Sequence, residues 1–276
     1  MTVELRIDLE EGLSDQLLAE LAEAGFSAFA YEDGALCAWG PPEAWRGASR
    51  TSIEGWVGRR VPGTPIEVSE VPDENWNAVW EASIEPVRAG PFVVLPSWAA
   101  LAAEHEGLIP LRVDPKMSFG TGHHASTRLA LALLAPRVSA GGRVLDVGTG
   151  TGVLAIGALL LGAGAAIGCD IDEWSVPNAR ECAALNGLSH RFEVRLGDLG
   201  VVTETGFDLV VANIISGVLV PILPALTDKM SGGGTLVMAG ILSTERGRVV
   251  AAAESCGLRP VDEATEGEWW AGAWTR

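Results

Sequence analysis

The sequence predicts an α/β fold: a mostly parallel sheet covered by helices on both faces, preceded by a small α+β domain. Three observations predict it. From Arg143 to Ser255, continuous apolar strands alternate with helical segments, the pattern of parallel strands buried on both faces. One of those strands runs into a glycine turn, Gly148-Thr149-Gly150-Thr151-Gly152, that opens the next helix. Residues 1–70 follow a different order, strand-helix-strand-strand-helix-strand, which closes as a small open sandwich.

Within residues 1–70, Thr2 to Asp8 alternates apolar and polar residues, as a half-buried strand does. Leu13 to Ala24 has helical spacing, with Leu13, Leu17, Leu18 and Leu21 on one face and Ser14 placed to cap it. Phe26 to Tyr31 and Ala35 to Trp39 read as a hairpin around Glu32-Asp33-Gly34. A weak helix at Ile53 to Arg60 and a strand at Pro65 to Glu70 follow. Residues 71–85 read as a linker helix, opened by Pro72-Asp73-Glu74-Asn75 and carrying Trp76 and Trp80 one turn apart.

Residues 86–276 form the larger domain. It starts with strands at Pro91 to Leu95 and Leu108 to Val113 and a helix at Thr127 to Leu134. Strands then fall at Arg143 to Val147, Ala165 to Cys169, Phe192 to Leu196, Phe207 to Ala212 and Gly234 to Ala239. Helices at Gly152 to Leu161, Ser175 to Leu185, Val218 to Leu226 and Thr244 to Ser255 separate most of them. The closing hairpin, Leu258 to Ala264 and Glu268 to Thr275, adds an antiparallel strand.

Composition narrows the function classes. The chain has 276 residues, 48% hydrophobic and 20% charged, which excludes disorder as its main state. Acids outnumber bases 36 to 19, a net charge of -17. That field repels nucleic acid overall and favours basic partners. Cys37, Cys169, Cys182 and Cys256 form no CxxC pair and read as reduced, buried thiols of a cytoplasmic protein. The N-terminus carries no secretory pattern. The longest apolar run, Val153 to Cys169, is broken by Gly162 and Gly164 and reads as a core helix plus a strand, not a membrane span.

The chemistry-bearing residues gather at predicted strand ends, where open α/β sheets bind ligands. The GxGxG spacing at Gly148, Gly150 and Gly152 puts Val153 where a dinucleotide fingerprint has its last glycine, and no Gly-Lys-Ser/Thr follows. This weakens a nicotinamide reading and excludes a triphosphate loop. Asp170 ends the next strand, about twenty residues on, where an acid holds both hydroxyls of a ribose. Asp198 ends the third, where an acid can accept from an adenine amino group. Both acids equally suit helix caps. His123-His124 lacks ligand partners at metal spacing, so no metal is expected, and His123 reads as a loop residue lining the pocket.

The Asp146-Val147-Gly148-Thr149-Gly150-Thr151-Gly152 turn, the acid at Asp170 and the closing hairpin resemble class I S-adenosylmethionine-dependent methyltransferases, over about Leu108 to Arg276. The resemblance implies a seven-stranded doubly wound sheet with its last hairpin strand reversed. Two further segments, Met117 to Thr127 (Met-Ser-Phe-Gly-Thr-Gly-His-His-Ala-Ser-Thr) and Val211-Ala212-Asn213-Ile214-Ile215-Ser216, are similar to the ribosomal protein methyltransferase A family, as is Glu266 to Trp269. That family methylates amino groups of a basic ribosomal protein, the eleventh of the large subunit. The resemblance implies that Thr127, Gly148, Asp170 and Asn213 bind S-adenosylmethionine. Phe119, Gly120 and Thr121 are expected beside its methionine end, with Gly150 and Asp198 completing the pocket. It also implies that residues 1–70 recognise the protein substrate. A monomer is expected, without membrane attachment or nucleic-acid readout.

Asn213 is the expected catalytic residue. Methyltransferases of planar amino groups carry Asn-Pro-Pro-Tyr or a close relative at this point. Here Asn213-Ile214-Ile215-Ser216 keeps the amide but lacks the prolines and the aromatic. That favours a flexible aliphatic amine. No dedicated general base stands out. Competing readings are a methyltransferase of another protein lysine or small amine, a cofactor-binding scaffold, and a dehydrogenase.

Overall fold

The computed structural model describes residues 2–9, 11–32, 34–71, 85–114 and 120–276. The chain divides into two compact units, Met1–Ser83 and Ile84–Arg276. The expected linker-helix residues Pro72 to Trp80, and Met117 to Phe119, lie outside the described residues.

The first unit contains β1 (Thr2–Asp8), α1 (Glu11–Ala24), β2 (Ala28–Glu32), β3 (Ala35–Gly40), α2 (Gly47–Arg60) and β4 (Ile66–Val71). The strands form an antiparallel sheet in the order β2-β3-β1-β4. Strand β1 turns Val3, Leu5 and Ile7 inward, where they meet Leu17 and Leu21 of α1 and Ile53, Trp56 and Val57 of α2. Two boundaries differ from the sequence reading. Helix α1 already begins at Glu11, so Ser14 lies inside the helix and not at its cap. Helix α2 begins at Gly47 and not Ile53, because its first turn is largely exposed and carries no apolar periodicity.

In the second unit, β5 (Val87–Ala89), β6 (Phe92–Leu95) and β7 (Ile109–Arg112) pair as a separate small sheet, followed by α3 (Ala125–Leu134). The large sheet is built from β8 (Arg143–Val147), β9 (Ala165–Asp170), β10 (Phe192–Leu196), β11 (Phe207–Asn213), β12 (Met230–Leu242), β13 (Arg259–Glu266) and β14 (Trp269–Thr275). Its order is β10-β9-β8-β11-β12-β14-β13. The first five strands in that order are parallel, and β14 runs antiparallel to both its neighbours. Helices α4 (Val153–Leu160), α5 (Ser175–Leu185), α6 (Ser216–Lys229) and α7 (Arg246–Ser255) complete the unit.

Alternation along the strands divides the core. Val144 of β8 packs with Leu131 of α3, Ile156 of α4 and Ala179 of α5. Its neighbour Leu145 packs on the opposite face with Leu219 and Leu223 of α6 and Val249 of α7. The sheet is therefore doubly wound. Chain order reverses between β8 and β11, and the crevice outside the carboxyl ends of these strands is where such sheets hold ligands. The apolar run from Val153 divides into α4 and β9. Among the described residues, no helix is long and apolar enough to cross a membrane.

Candidate active site

The glycine turn is held to the neighbouring strand by its own backbone. Gly148 and Thr149 donate their N–H groups to the Cys169 carbonyl at 2.9 and 3.1 Å, and Gly150 donates to Asp170 Oδ2 at 2.8 Å. Gly148 has φ +71°, and a Cβ there would lie 2.6 Å from Ile214 Cγ2. A side chain is thus disfavoured both by backbone conformation and by Ile214, the residue just past the end of β11.

Beneath the turn lies Asp146, fully buried in β8. Its Oδ2 accepts from Thr149 Oγ1 at 2.8 Å and from the Ala155 N–H at 3.2 Å, which ties the turn to the first turn of α4. Its Oδ1 has no hydrogen-bond partner among the described residues. Burial pushes the Asp146 carboxyl up to about 7; the Thr149 and Ala155 bonds lower it, and the charge of Asp170 adds to the rise. Burial, with the nearby charge of Asp146, also pushes the Cys169 thiol up to about 12, so it stays protonated.

The turn opens on a cavity of about 790 Å³, lined by Gly148, Gly150, Asp170, Asp198, Asn213 and the apolar residues Ile171, Leu199, Ile214, Ile215, Val218 and Ile222, among others. That size suits a small-molecule ligand. Asp170 Oδ1 accepts from the Asp172 N–H at 3.0 Å. Each Asp170 oxygen thus carries one backbone bond and keeps a further lone pair. Asp198 is exposed and caps a short 3-10 turn, accepting from the Gly200 N–H at 2.8 Å. It does so while standing on the cavity wall.

Asn213 ends β11, where its Nδ2 donates to Thr127 Oγ1 at 3.3 Å. Its Oδ1 is buried without a partner among the described residues. A β-bulge in β12 places Gly240 against this amide at φ +79°. A Cβ on Gly240 would meet Asn213 Oδ1 and Ile214 N, each at 2.9 Å.

Thr127 is buried in the first turn of α3, joined to the site through Asn213 but not itself on the cavity wall. The cap of α3 is His124, whose Nδ1 accepts from the Ser126 N–H at 3.3 Å. Burial and Arg128 hold the His124 imidazole below its ordinary range, in keeping with an acceptor ring nitrogen, while Glu268 opposes the shift. The His124 ring meets Trp269 edge-on at 4.5 Å, and Arg128 pairs with Glu266. Two segments distant in sequence, Gly120 to Thr127 and Glu266 to Trp269, are thereby joined.

Gly120 is buried and its carbonyl accepts from Thr151 Oγ1 at 2.8 Å, fastening this loop to the glycine turn. Neither Gly120 nor Thr121 is on the cavity wall, and Phe119 lies outside the described residues. His123 is not a pocket residue: it is exposed, with Nε2 3.0 Å from the Glu85 carbonyl oxygen. No group of side chains suited to a metal occurs among the described residues.

The sequence reading quoted Asp146 and Glu266 within motifs without giving them a role, and passed over Gly240 and the pairing of Arg128 with Glu266. Asp146 had a signal, as the one charge inside the apolar run Val144 to Val147. Gly240 had none, because only the fold shows what its missing Cβ would strike.

Taken together, a doubly wound sheet with a reversed closing strand, a glycine turn at the switch point and a strand-end acid define a class I S-adenosylmethionine-dependent methyltransferase. Comparison with known proteins gives the family. Residues 58–276 match the model of the ribosomal protein L11 methyltransferase (PrmA) family. A ribosomal protein L11 methyltransferase of Thermus thermophilus is 43% identical over 201 residues, 72% of this chain and 77% of that protein. One from Synechococcus sp. is 31% identical over 283 residues, covering 96% of this chain and 94% of the other. The crystal structure of a ribosomal protein L11 methylase from Lactobacillus delbrueckii subsp. bulgaricus matches with a TM-score of 0.62 and 29% identity, over 67% of this chain and 94% of that one. The chain belongs to the ribosomal protein L11 methyltransferase family, whose methyl donor is S-adenosylmethionine.

Proposed function

We propose that the chain methylates lysine and N-terminal amino groups of ribosomal protein L11 in the cytoplasm, acting as a monomer on this basic protein without reading nucleic acid. The carrying observation is Asn213: a buried amide oxygen at the strand end, without a partner among the described residues, with the aliphatic side chains of Ile214, Ile215 and Val218 beside it on the cavity wall. A buried acceptor without a partner is costly, and an N–H of a bound ligand would supply what Oδ1 lacks. The residues present fit S-adenosylmethionine. Gly148, Gly150, Asp170, Asp198 and Asn213 would hold it, with Thr127 fixing the Asn213 amide.

When bound, S-adenosylmethionine supplies a sulfonium methyl that an amine nitrogen can accept in line. The chain's task is to deliver that amine neutral and aligned. For a lysine of pKa about 10.4, removing the proton at pH 7 costs about 4–5 kcal/mol. Apolar walls at Ile214, Ile215 and Val218 lower the cost by disfavouring the ammonium form. Asn213 then orients the nitrogen, and positioning with desolvation carries the rate. The first unit, with its own core, takes the role of substrate recognition.

The test is incubation with labelled S-adenosylmethionine and ribosomes from a strain lacking L11 methylation, followed by mass spectrometry of the ribosomal proteins. Label on L11 at amino groups is the expected result. Label confined to another protein, or none, refutes the reading.

A further inference from the structure

Ile215 occupies a place that favours other residues. It is the N-cap of α6, with φ -62° and ψ 146°, and its side chain makes no capping bond. Ser, Thr, Asp and Asn stabilise that position, and isoleucine is among the poorest choices. The side chain gains little from burial either, being 64% exposed. One turn on, Val218 is 52% exposed, and both residues line the cavity beside Asn213. Helix stability and burial both argue against an isoleucine here, so something other than the fold covers it.

The main chain around Ile215 is fixed. Ile214 packs so tightly that a Cβ on Gly148 or Gly240 would strike it, at 2.6 and 2.9 Å. Ser216, next along, is buried and donates to Glu245 Oε1 at 2.5 Å, so it faces inward. Ile215 is thus held outward beside the Asn213 amide. Among the described residues, no aromatic ring lines the cavity, so a flat substrate finds nothing to stack on.

We propose that Ile215, with Val218, is the lip that seats the aliphatic stem of the amine-bearing side chain presented by the protein substrate. The occupant is an unbranched methylene chain, as in lysine, lying along the lip with its nitrogen at Asn213. This rests on the function proposed above and adds the residue that selects for a stem. The lip positions the substrate and takes no part in bond making.

The test is Ile215→Ser in the full chain. Serine supplies the missing cap, so the variant is expected to fold with an unchanged or higher thermal midpoint. With purified L11, kcat/KM is expected to fall about tenfold, mainly through a raised KM for the protein as apolar contact with the stem is lost, with a smaller fall in kcat as the amine is left better solvated. Calorimetric Kd for S-adenosylmethionine is expected to stay within about twofold, and Ile215→Leu to restore most of kcat/KM. An unchanged kcat/KM overturns the lip. So does an equal loss in cofactor affinity, which would put Ile215 against the cofactor. Wild-type activity separates the two proposals: wild-type methylation of L11 with a silent Ile215→Ser refutes only the lip. A wild-type chain that methylates no L11 overturns both.

Discussion

Replacing Asp146 by asparagine should make the larger unit more stable at pH 8 while changing its stability little at pH 5. The carboxyl is fully buried and pushed up to about 7 from an ordinary value of 3.8. Between about pH 4 and 7 the folded state keeps a proton that the unfolded chain has lost, so stability falls as pH rises through that window. At about 1.4 kcal/mol per pH unit, the cost reaches about 4 kcal/mol at pH 8 and about 2 kcal/mol at pH 5. An asparagine oxygen can keep the Thr149 and Ala155 bonds, but its amide nitrogen takes the place of the unpartnered Oδ1. That costs about 1–3 kcal/mol at either pH. The variant-minus-wild-type stability should therefore shift by about 2–3 kcal/mol between pH 5 and 8. Urea unfolding of both proteins at both pH values measures this, and the difference cancels the many surface acids common to both. A shift smaller than about 0.5 kcal/mol would mean that Asp146 does not titrate in this window, and would refute a buried, protonatable carboxyl under the turn.

Asp170→Ala should weaken S-adenosylmethionine binding by about 1–3 kcal/mol, since it removes a charged acceptor and frees the Gly150 N–H; calorimetry showing unchanged affinity would remove Asp170 from the ribose role. Asn213→Ala should lower turnover by roughly tenfold to several-hundredfold, with a smaller effect on cofactor affinity. Weak cofactor binding with near-normal turnover at saturation would move Asn213 to the cofactor alone. Gly240→Ala should depress turnover by about tenfold or more, because a Cβ displaces the amide oxygen 2.9 Å away. Gly257→Ala is the matched control, with φ +77° and nothing within 4 Å of its Cβ; an equal loss in both variants would assign the effect to backbone strain.

Much of the fold was legible because its signals are local. Periodicity placed α5 and β10 at their observed ends, and the glycine turn announced the strand-to-helix junction at β8 and α4. Ends without apolar pattern were not legible, as in the exposed first turn of α2 and the three-residue strand β5. Asp170, Gly148 and Asn213 could be placed at strand ends from sequence, and the structure brings all three to one cavity. What sequence could not show is pairing over distance. The contact between His124 and Trp269, and the place of Gly240 beneath Asn213, join residues more than twenty positions apart through tertiary packing.

The acidity of the chain sets a chemical conflict that the site must resolve locally. On the function proposed above, a net charge of -17 would draw in a basic substrate. The same field favours the ammonium form of its lysines, which cannot accept a methyl group. Long-range attraction therefore serves encounter and opposes chemistry. Screening confines the field of exposed acids to about 8 Å at physiological salt, so the immediate surroundings of the nitrogen decide its protonation. There Ile214, Ile215 and Val218 stand on the cavity wall with the neutral amide of Asn213. The carboxylate of Asp170 is turned to the Gly150 and Asp172 N–H groups, which offset its charge. An aliphatic lip beside a neutral acceptor thus does two things at once. It holds the stem, and it withdraws solvation from the ammonium at the point where the proton must leave.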